Sequence, residues 1–358
     1  MTKINEKENY LKNAGAYERA GQLDKALYSL NLALKDPTRS MMRRVINENI
    51  QRIIVKAERS AISAMSNAVP IYEHKNNPRD YKSDANARNL GQPAPVVSLT
   101  SISTRIGRVE ATVRSILTQT VMPHSVNLYI SNEPYLIDEG ISAEDSYLKD
   151  IAQLGVNIYQ VKNIGPYRKQ YPIIGQLRAS RAAESTPIVT IDDDVIYPPN
   201  IIERLIDGFS SGDAVVAHRG REISFSEGVL SEYKKFSVPS GEISHLNMGT
   251  GKNGIAYRLR HFPKRPEHYI GHILAPTADD IWCKWVTAMH CVPTMILEPR
   301  AAYDPTLDFK ESAPEDKNGL FHKYNARGTN DMAMGNLELY FSNRGQNINS
   351  LYNKDYNV

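Results

Sequence analysis

Three consecutive carboxylates, Asp192, Asp193 and Asp194, follow the apolar, β-branched run Pro187 to Ile191 and precede Pro198-Pro199. Adjacent acids repel one another, so crowding them at the end of a buried strand is costly unless a cation or hydrogen-bond donors offset the charge. A divalent metal carrying phosphates does this well. Strand alternation puts Asp192 and Asp194 on one side and Asp193 on the other. The pattern reads as an Asp-x-Asp site for a metal and a nucleotide-sugar. A solvated turn in which Asp194 caps the next helix is the competing account, but a cap needs only one acid.

Other residues could serve the same chemistry. In Asn163 to Lys169 a Gly-Pro turn would hold Arg168 and Lys169 where an anionic diphosphate lies, although surface charges of a loop are an equal reading. Thr100, Ser101 and Arg105 end the first strand of this region and could bind a uracil or ribose edge and a phosphate; they would serve equally as helix caps. Gly249, Thr250 and Gly251 belong to a glycine-rich stretch that lets backbone amides approach a sugar, or that simply makes a hairpin. Asp279 and Asp280 precede an apolar stretch of helical character; one of them is expected to act chemically, since one helix cap uses one acid. Trp282 could stack on an acceptor sugar, with core packing as its alternative, and His322 could be a further metal ligand, with plain surface exposure as its alternative.

These residues need a frame. Val96 to Thr100, Val126 to Ser131, Val156 to Val161, Ile188 to Ile191 and Ala214 to Ala217 read as strands, with helices near 105–118, 172–184 and 199–208. Strands alternating with helices imply a mainly parallel sheet covered on both faces. In such sheets ligands bind beyond the carboxyl ends of the strands, where Thr100-Ser101, Asn163 to Gly165 and the Asp triplet converge. Neither Gly-x-x-x-x-Gly-Lys nor Gly-x-Gly-x-x-Gly follows the first strand, so the common phosphate-cradling loops are missing.

Val96 to Arg105, Gly165 to Lys169 and Thr190 to Pro199 together resemble bacterial glycosyltransferases of the GT-A fold. Asp192 to Pro199, Met248 to Gly251, Asp279 to Trp282 and Val292-Pro293 resemble the α-N-acetylglucosaminyltransferases of heparosan-type capsule synthesis, over residues 95–300. The resemblance implies a UDP-sugar donor, UDP-N-acetylglucosamine first, with Asp194, and Asp192 next to it, on Mn2+ or Mg2+ and Asp193 beside them. It also implies an acidic pair, Asp279 and Asp280, that orients the acceptor hydroxyl. Retention of configuration follows from the heparosan likeness, whereas a general base among that pair suits inversion.

Residues 8–65 are helical in pattern, and Ala14, Tyr17, Gly21, Leu23, Ala26, Leu27, Leu30, Ala33, Leu34 and Pro37 resemble one tetratricopeptide repeat. The next helix carries Arg43, Arg44, Arg52, Lys56 and Arg59; it could meet a membrane or a protein, or pack with its charged face in water. The expected division is a helical module at 1–70, a linker at 71–95, a catalytic GT-A domain at 96–342 and a tail at 343–358. A formal charge of +3 gives no case for nucleic acid. No run approaches the roughly twenty apolar residues of a membrane span, Met1 to Tyr10 lacks a signal-peptide core, and Cys283 and Cys291 are too few for a disulfide framework. A cytoplasmic enzyme, or one peripheral at the inner face of the cell membrane, is expected. Its acceptor would be a surface polysaccharide or lipid-linked glycan. A nucleotidyltransferase making sugar nucleotides and a non-catalytic glycan-binding scaffold are the alternatives.

Overall fold

The structure, a computed structural model, describes residues 3–34, 40–65, 68–74, 93–239, 241–302, 310–311, 323–325, 328–348 and 350. Three helices, α1 (Lys3–Arg19), α2 (Leu23–Leu34) and α3 (Ser40–Met65), lead to β1 (Val69–Tyr72) and β2 (Val96–Thr100). Then come α4 (Val109–Ile116), β3 (Ser125–Ile130), α5 (Ser146–Gln153), β4 (Asn157–Gln160), α6 (Tyr171–Ala179), β5 (Pro187–Thr190), β6 (Val195–Ile196) and α7 (Ile201–Asp207). A run of short strands follows: β7 (Val215–Ala217), β8 (Gly220–Glu222), β9 (Phe225–Ser226), β10 (Val229–Leu230), β11 (Asn247–Gly249) and β12 (Ile255–Arg258). The remaining elements are α8 (Gly271–Leu274), α9 (Asp279–Met289), β13 (Thr294–Ile296), β14 (Lys310–Glu311) and α10 (Thr329–Ser342).

Eight strands form one sheet in the order β1-β4-β3-β2-β5-β12-β7-β13. The pairs β3–β4, β2–β3, β2–β5 and β7–β13 are parallel, while β12 runs antiparallel between β5 and β7 and β1 antiparallel along the edge of β4. This is a Rossmann-like α/β fold with a mixed, mostly parallel sheet and a helical segment ahead of it. Strand alternation splits the core into two apolar layers. Val96 and Tyr129 face a layer shared with Trp282, Leu337 and the N-terminal helices. Val97, Leu128 and Ile130 face the other, filled by Val113 of α4, Leu148 of α5 and Leu205 of α7.

The N-terminal helices are bound to the sheet layer rather than held off it. α1 and α2 turn at Gly21, whose φ of +74° suits glycine. Leu27, Leu30, Ile46 and Ile53 are buried in the first apolar layer. Tyr135 Oη donates to Asp24 Oδ2 at 2.9 Å, and Asn31 Nδ2 donates to Asn336 Oδ1 at 2.8 Å. On the basic helix α3, Arg52 and Lys56 both pair with Glu18 of α1, and Arg44 pairs with Glu48. Part of the positive face read from the sequence is thus neutralised within the chain.

Two features depart from the sequence reading. Val69–Tyr72, across the boundary expected between the helical module and the linker, is a sheet strand, with Val69, Pro70 and Tyr72 in register against β4; residues 75–92 of the linker lie outside the described residues. The antiparallel β12 is not among the strands expected from the sequence, since four residues next to Gly254 give too short a period to recognise. Among the described residues no helix is long and apolar enough to cross a membrane.

Candidate active site

β5 ends at Thr190, and the Asp triplet leaves the sheet as a turn. Asp193 is buried and faces the loop after β2, where Ser101 Oγ donates to its Oδ2 at 2.5 Å. Arg105 Nη1 donates to Asp193 Oδ1 at 3.2 Å and to Asp194 Oδ2 at 3.1 Å. One guanidinium thus bridges acids that strict alternation would separate, because the strand has already ended. α4 holds the turn from behind. Thr112 and Ser115 of α4 and Gln119, just past its end, respectively donate to Asp193 O at 3.0 Å, accept from Tyr197 N at 3.0 Å and donate to Pro198 O at 2.7 Å. Tyr197 Oη accepts from Asp192 N at 3.0 Å. Thr100 is turned away: its hydroxyl donates to Tyr129 O at 2.7 Å.

The neighbours Arg168 and Lys169 have different fates. They lie in a short 3-10 turn after β4 that starts at Gly165, where φ is +62° and a Cβ would come within 3.2 Å of Leu136 Cδ1. Arg168 is buried, paired with buried Asp138 at 2.8 Å, and donates to Ser101 O at 3.0 Å. Asp138 also accepts from Ser103 N at 3.0 Å and from Asn163 Nδ2 at 3.2 Å. This pair knots together the loops after β2, β3 and β4, and Arg168 is not presented to a diphosphate as the sequence reading had it. Lys169 turns to the acid cluster instead. Its Nζ lies 2.9 Å from Asp192 Oδ1 and 3.2 Å from Asp279 Oδ2.

Through Lys169 the strand-end acids meet the start of α9. Asp279 and Asp280 occupy its first turn, and the cap position is Ala278, so neither acid is spent as a cap. Gln170 Nε2 donates to Asp279 Oδ2 at 2.7 Å. Asp280 Oδ2 accepts from Gly251 N at 2.8 Å. A side chain there would crowd the cluster: a Cβ on residue 251 would lie 2.9 Å from Asp280 Oδ1 and 3.2 Å from Lys169 Nζ, so the carboxylate and ammonium would have to shift. Next to it, Thr250 Oγ1 accepts from Arg219 Nε at 3.2 Å. Gly249 closes β11 with its Cα against Ala217, where a Cβ would come within 2.7 Å of the Ala217 Cβ.

Charge is unevenly balanced in this cluster. Burial works against the Lys169 ammonium, but Asp192, Asp279 and Asp280 outweigh it and hold its pKa well above the ordinary range. Burial would raise Asp192; the Lys169 charge and hydrogen bond, with Arg105, bring it below the usual carboxylate value. Asp194 goes the other way, pushed up to about 6 by burial and by Asp192 and Asp193. Asp280 is pushed up to about 7 by burial and by Asp279, against the opposing pull of Lys169 and the Gly251 amide. Two acids of the cluster therefore take or give a proton near neutral pH.

Among the described residues, no three His, Cys, Asp or Glu side chains are grouped so as to hold a metal ion. The donor set still fits a cation that arrives with phosphates. Mg2+-like ions commonly take one or two carboxylates and complete their shell from phosphates and water. Asp194 suits this, with 40% of its side chain exposed and its charge unfavourably placed, whereas Asp193 is committed to Ser101 and Asp192 to Lys169. His322 lies outside the described residues. Trp282 is in the core, 1% exposed, with the rings of Tyr171, Tyr167 and Tyr269 at 4.9, 5.7 and 5.7 Å; its apolar area is already used, and it has no face for a sugar.

The sequence reading missed Asp138, Gln170 and Arg219. Asp138 and Arg219 stand in stretches with no motif, and Gln170 is an ordinary polar residue next to Lys169. No family model matches the chain, and no curated protein matches it in sequence. Among solved structures, that of 4-diphosphocytidyl-2C-methyl-D-erythritol synthase is similar over 57% of this chain and 90% of that chain, with 13% sequence identity and a TM-score of 0.36. A likeness of that size says nothing about ligands. The α/β class rests on the strand order itself.

Proposed function

We propose that the chain is a metal-dependent glycosyltransferase. It moves a sugar from a UDP-sugar, UDP-N-acetylglucosamine being the first to try, to a hydroxyl of a surface polysaccharide or lipid-linked glycan. One observation carries this reading: Lys169 joins the strand-end acid Asp192 to the helix-start acid Asp279, at the sheet edge where α/β folds bind ligands. A nucleoside diphosphate fits beside Asp194, and the reacting sugar then lies toward Asp280 and the Gly251 amide.

A Mn2+ or Mg2+ ion bound at Asp194 would supply positive charge to the departing diphosphate. Lys169 keeps Asp192 and Asp279 ionised where positive charge grows on the sugar, and carboxylates there favour an oxocarbenium-like centre. Asp280, with a pKa of about 7, is the group suited to take the proton of the acceptor hydroxyl. That role goes with inversion at the anomeric carbon, in contrast to the retention implied by the heparosan-type resemblance.

The nucleotidyltransferase alternative would call for a Gly-rich basic loop after β2, where Ser101 to Arg108 has only Gly107. Ser101 and Arg105 are bonded to the acids instead of lining an open phosphate loop. The test is a screen of UDP-sugars for UDP release, with and without Mn2+, on the wild type and Asp280→Asn. Slow, metal-dependent release from one UDP-sugar, lost in the variant, supports the reading. Release from none, with cellular glycan unaffected by Asp192→Ala and Asp194→Ala, gives the case to a non-catalytic scaffold.

A further inference from the structure

Every cation that the sequence offers for phosphate binding on the β2, β4 and β5 side is engaged by the protein's own acids. Arg105 bridges Asp193 and Asp194, Arg168 pairs with Asp138, and Lys169 lies between Asp192 and Asp279. Lys252, on the glycine-rich loop, already acts on Asp192 and Asp194. A diphosphate entering beside these acids needs a positive partner of its own.

Arg219, between β7 and β8, is in place to be that partner. Its Nε donates to Thr250 Oγ1 at 3.2 Å, and its carbonyl accepts from Thr250 N at 3.0 Å, so both ends of the residue are fixed to the loop that holds Asp280. Among the described residues no carboxylate forms an ion pair with it. Thr250 is followed by Gly251, whose amide donates to Asp280 Oδ2 at 2.8 Å, so the anchor of Arg219 is next in the chain to the contact that holds that acid. Burial works against the Arg219 charge, and the fields of Tyr233, Asp192 and Asp280 oppose that effect. Its neighbour Arg221 is instead stacked on Tyr233, with 5.3 Å from the guanidinium carbon to the ring centre.

We propose that Arg219, anchored by Thr250, is the subsite for the terminal phosphate of the nucleoside diphosphate. With Nε used by Thr250, both Nη groups remain for an oxyanion, and the guanidinium fork matches two phosphate oxygens. A sugar carboxylate has the same oxyanion chemistry, so the test must separate the two. The inference rests on the glycosyltransferase reading for its ligand and adds a residue that reading did not use.

The experiment is titration calorimetry with UDP, UMP and glucuronic acid, at saturating Mn2+, on the wild type, Arg219→Gln, Arg219→Lys and Thr250→Val. Arg219→Gln is expected to weaken UDP roughly ten- to hundredfold, as for loss of hydrogen bonds to a charged group, and to leave UMP within roughly twofold. Arg219→Lys should recover part of the loss, and Thr250→Val should show a smaller loss of the same kind. Retained UMP binding shows that a variant is folded. An Arg219→Gln protein that binds UDP like the wild type, or that loses UMP and UDP equally, overturns the subsite. Loss of glucuronic acid binding with UDP unchanged gives the residue to a carboxylate and overturns the phosphate assignment. A wild type that binds neither nucleotide overturns the glycosyltransferase reading as well, which separates the two failures.

Discussion

On the wall of the site built by β2, β4 and β5, Arg105, Arg168 and Lys169 each have a carboxylate partner. On the opposite wall, built from β8, β11 and the start of α9, Arg219 has a hydroxyl and Asp280 an amide. Matched charges hold a shape, because separating a buried pair leaves both members unsolvated. Charges without a matching charge are free to meet a substrate. Under the proposed function, the first wall serves as architecture and the second meets the substrate, with Asp194 as the exposed acid that the first wall contributes.

The largest effect should come from the second wall. Asp280→Asn is expected to lower turnover by roughly 10²–10⁴, the usual range for a lost acid-base group, while leaving UDP affinity nearly unchanged. The same variant should be more stable than the wild type in base. Asp280 has a folded pKa of about 7 against an ordinary 3.8, so the folded chain retains a proton that the unfolded chain gives up between those values. Stability therefore falls as pH rises through that window. Thermal melts should favour Asp280→Asn at pH 8 and show little difference near pH 3. Equal melts at pH 8 would remove the strained charge from the account.

Breaking the first wall should damage the fold. Arg168→Ala strands Asp138, both side chains being at most 3% exposed, and is expected to cost about 3–5 kcal/mol in urea denaturation. Arg219→Gln, by contrast, should stay within about 1 kcal/mol of the wild type. If the two variants prove equally destabilised, the division between walls fails.

The smallest effect sharpens the same point. Thr100→Val removes one hydrogen bond to Tyr129 O, expected to cost about 1 kcal/mol, and should leave nucleotide affinity unaltered. A clear loss of UDP binding would return Thr100 to the donor site.

The parallel part of the sheet could be read from the sequence because β2 and β5 are apolar, β-branched runs and β3 and β4 lie in stretches flanked by valine or isoleucine, with helical stretches between several of them. The Asp triplet was legible for the same reason: acids are conspicuous where a buried strand stops. What could not be read is pairing across long separations. Asp138 meets Arg168 and Thr250 meets Arg219 only after the sheet has formed, and no local spacing encodes either contact. Trp282 shows the converse. A tryptophan beside two acids suggests a sugar platform, but the three tyrosine rings that enclose it come from distant segments.

The proposed activity stands on the joint binding of a nucleoside diphosphate and a divalent ion at Asp194. It is tested most directly by calorimetry of UDP with the purified chain, with and without Mn2+, repeated on Asp194→Ala. The account predicts binding that requires the metal and is lost in the variant, which should itself melt no lower than the wild type at pH 8, since the carboxyl it removes is held at about 6. UDP binding that ignores both the metal and the substitution would contradict it.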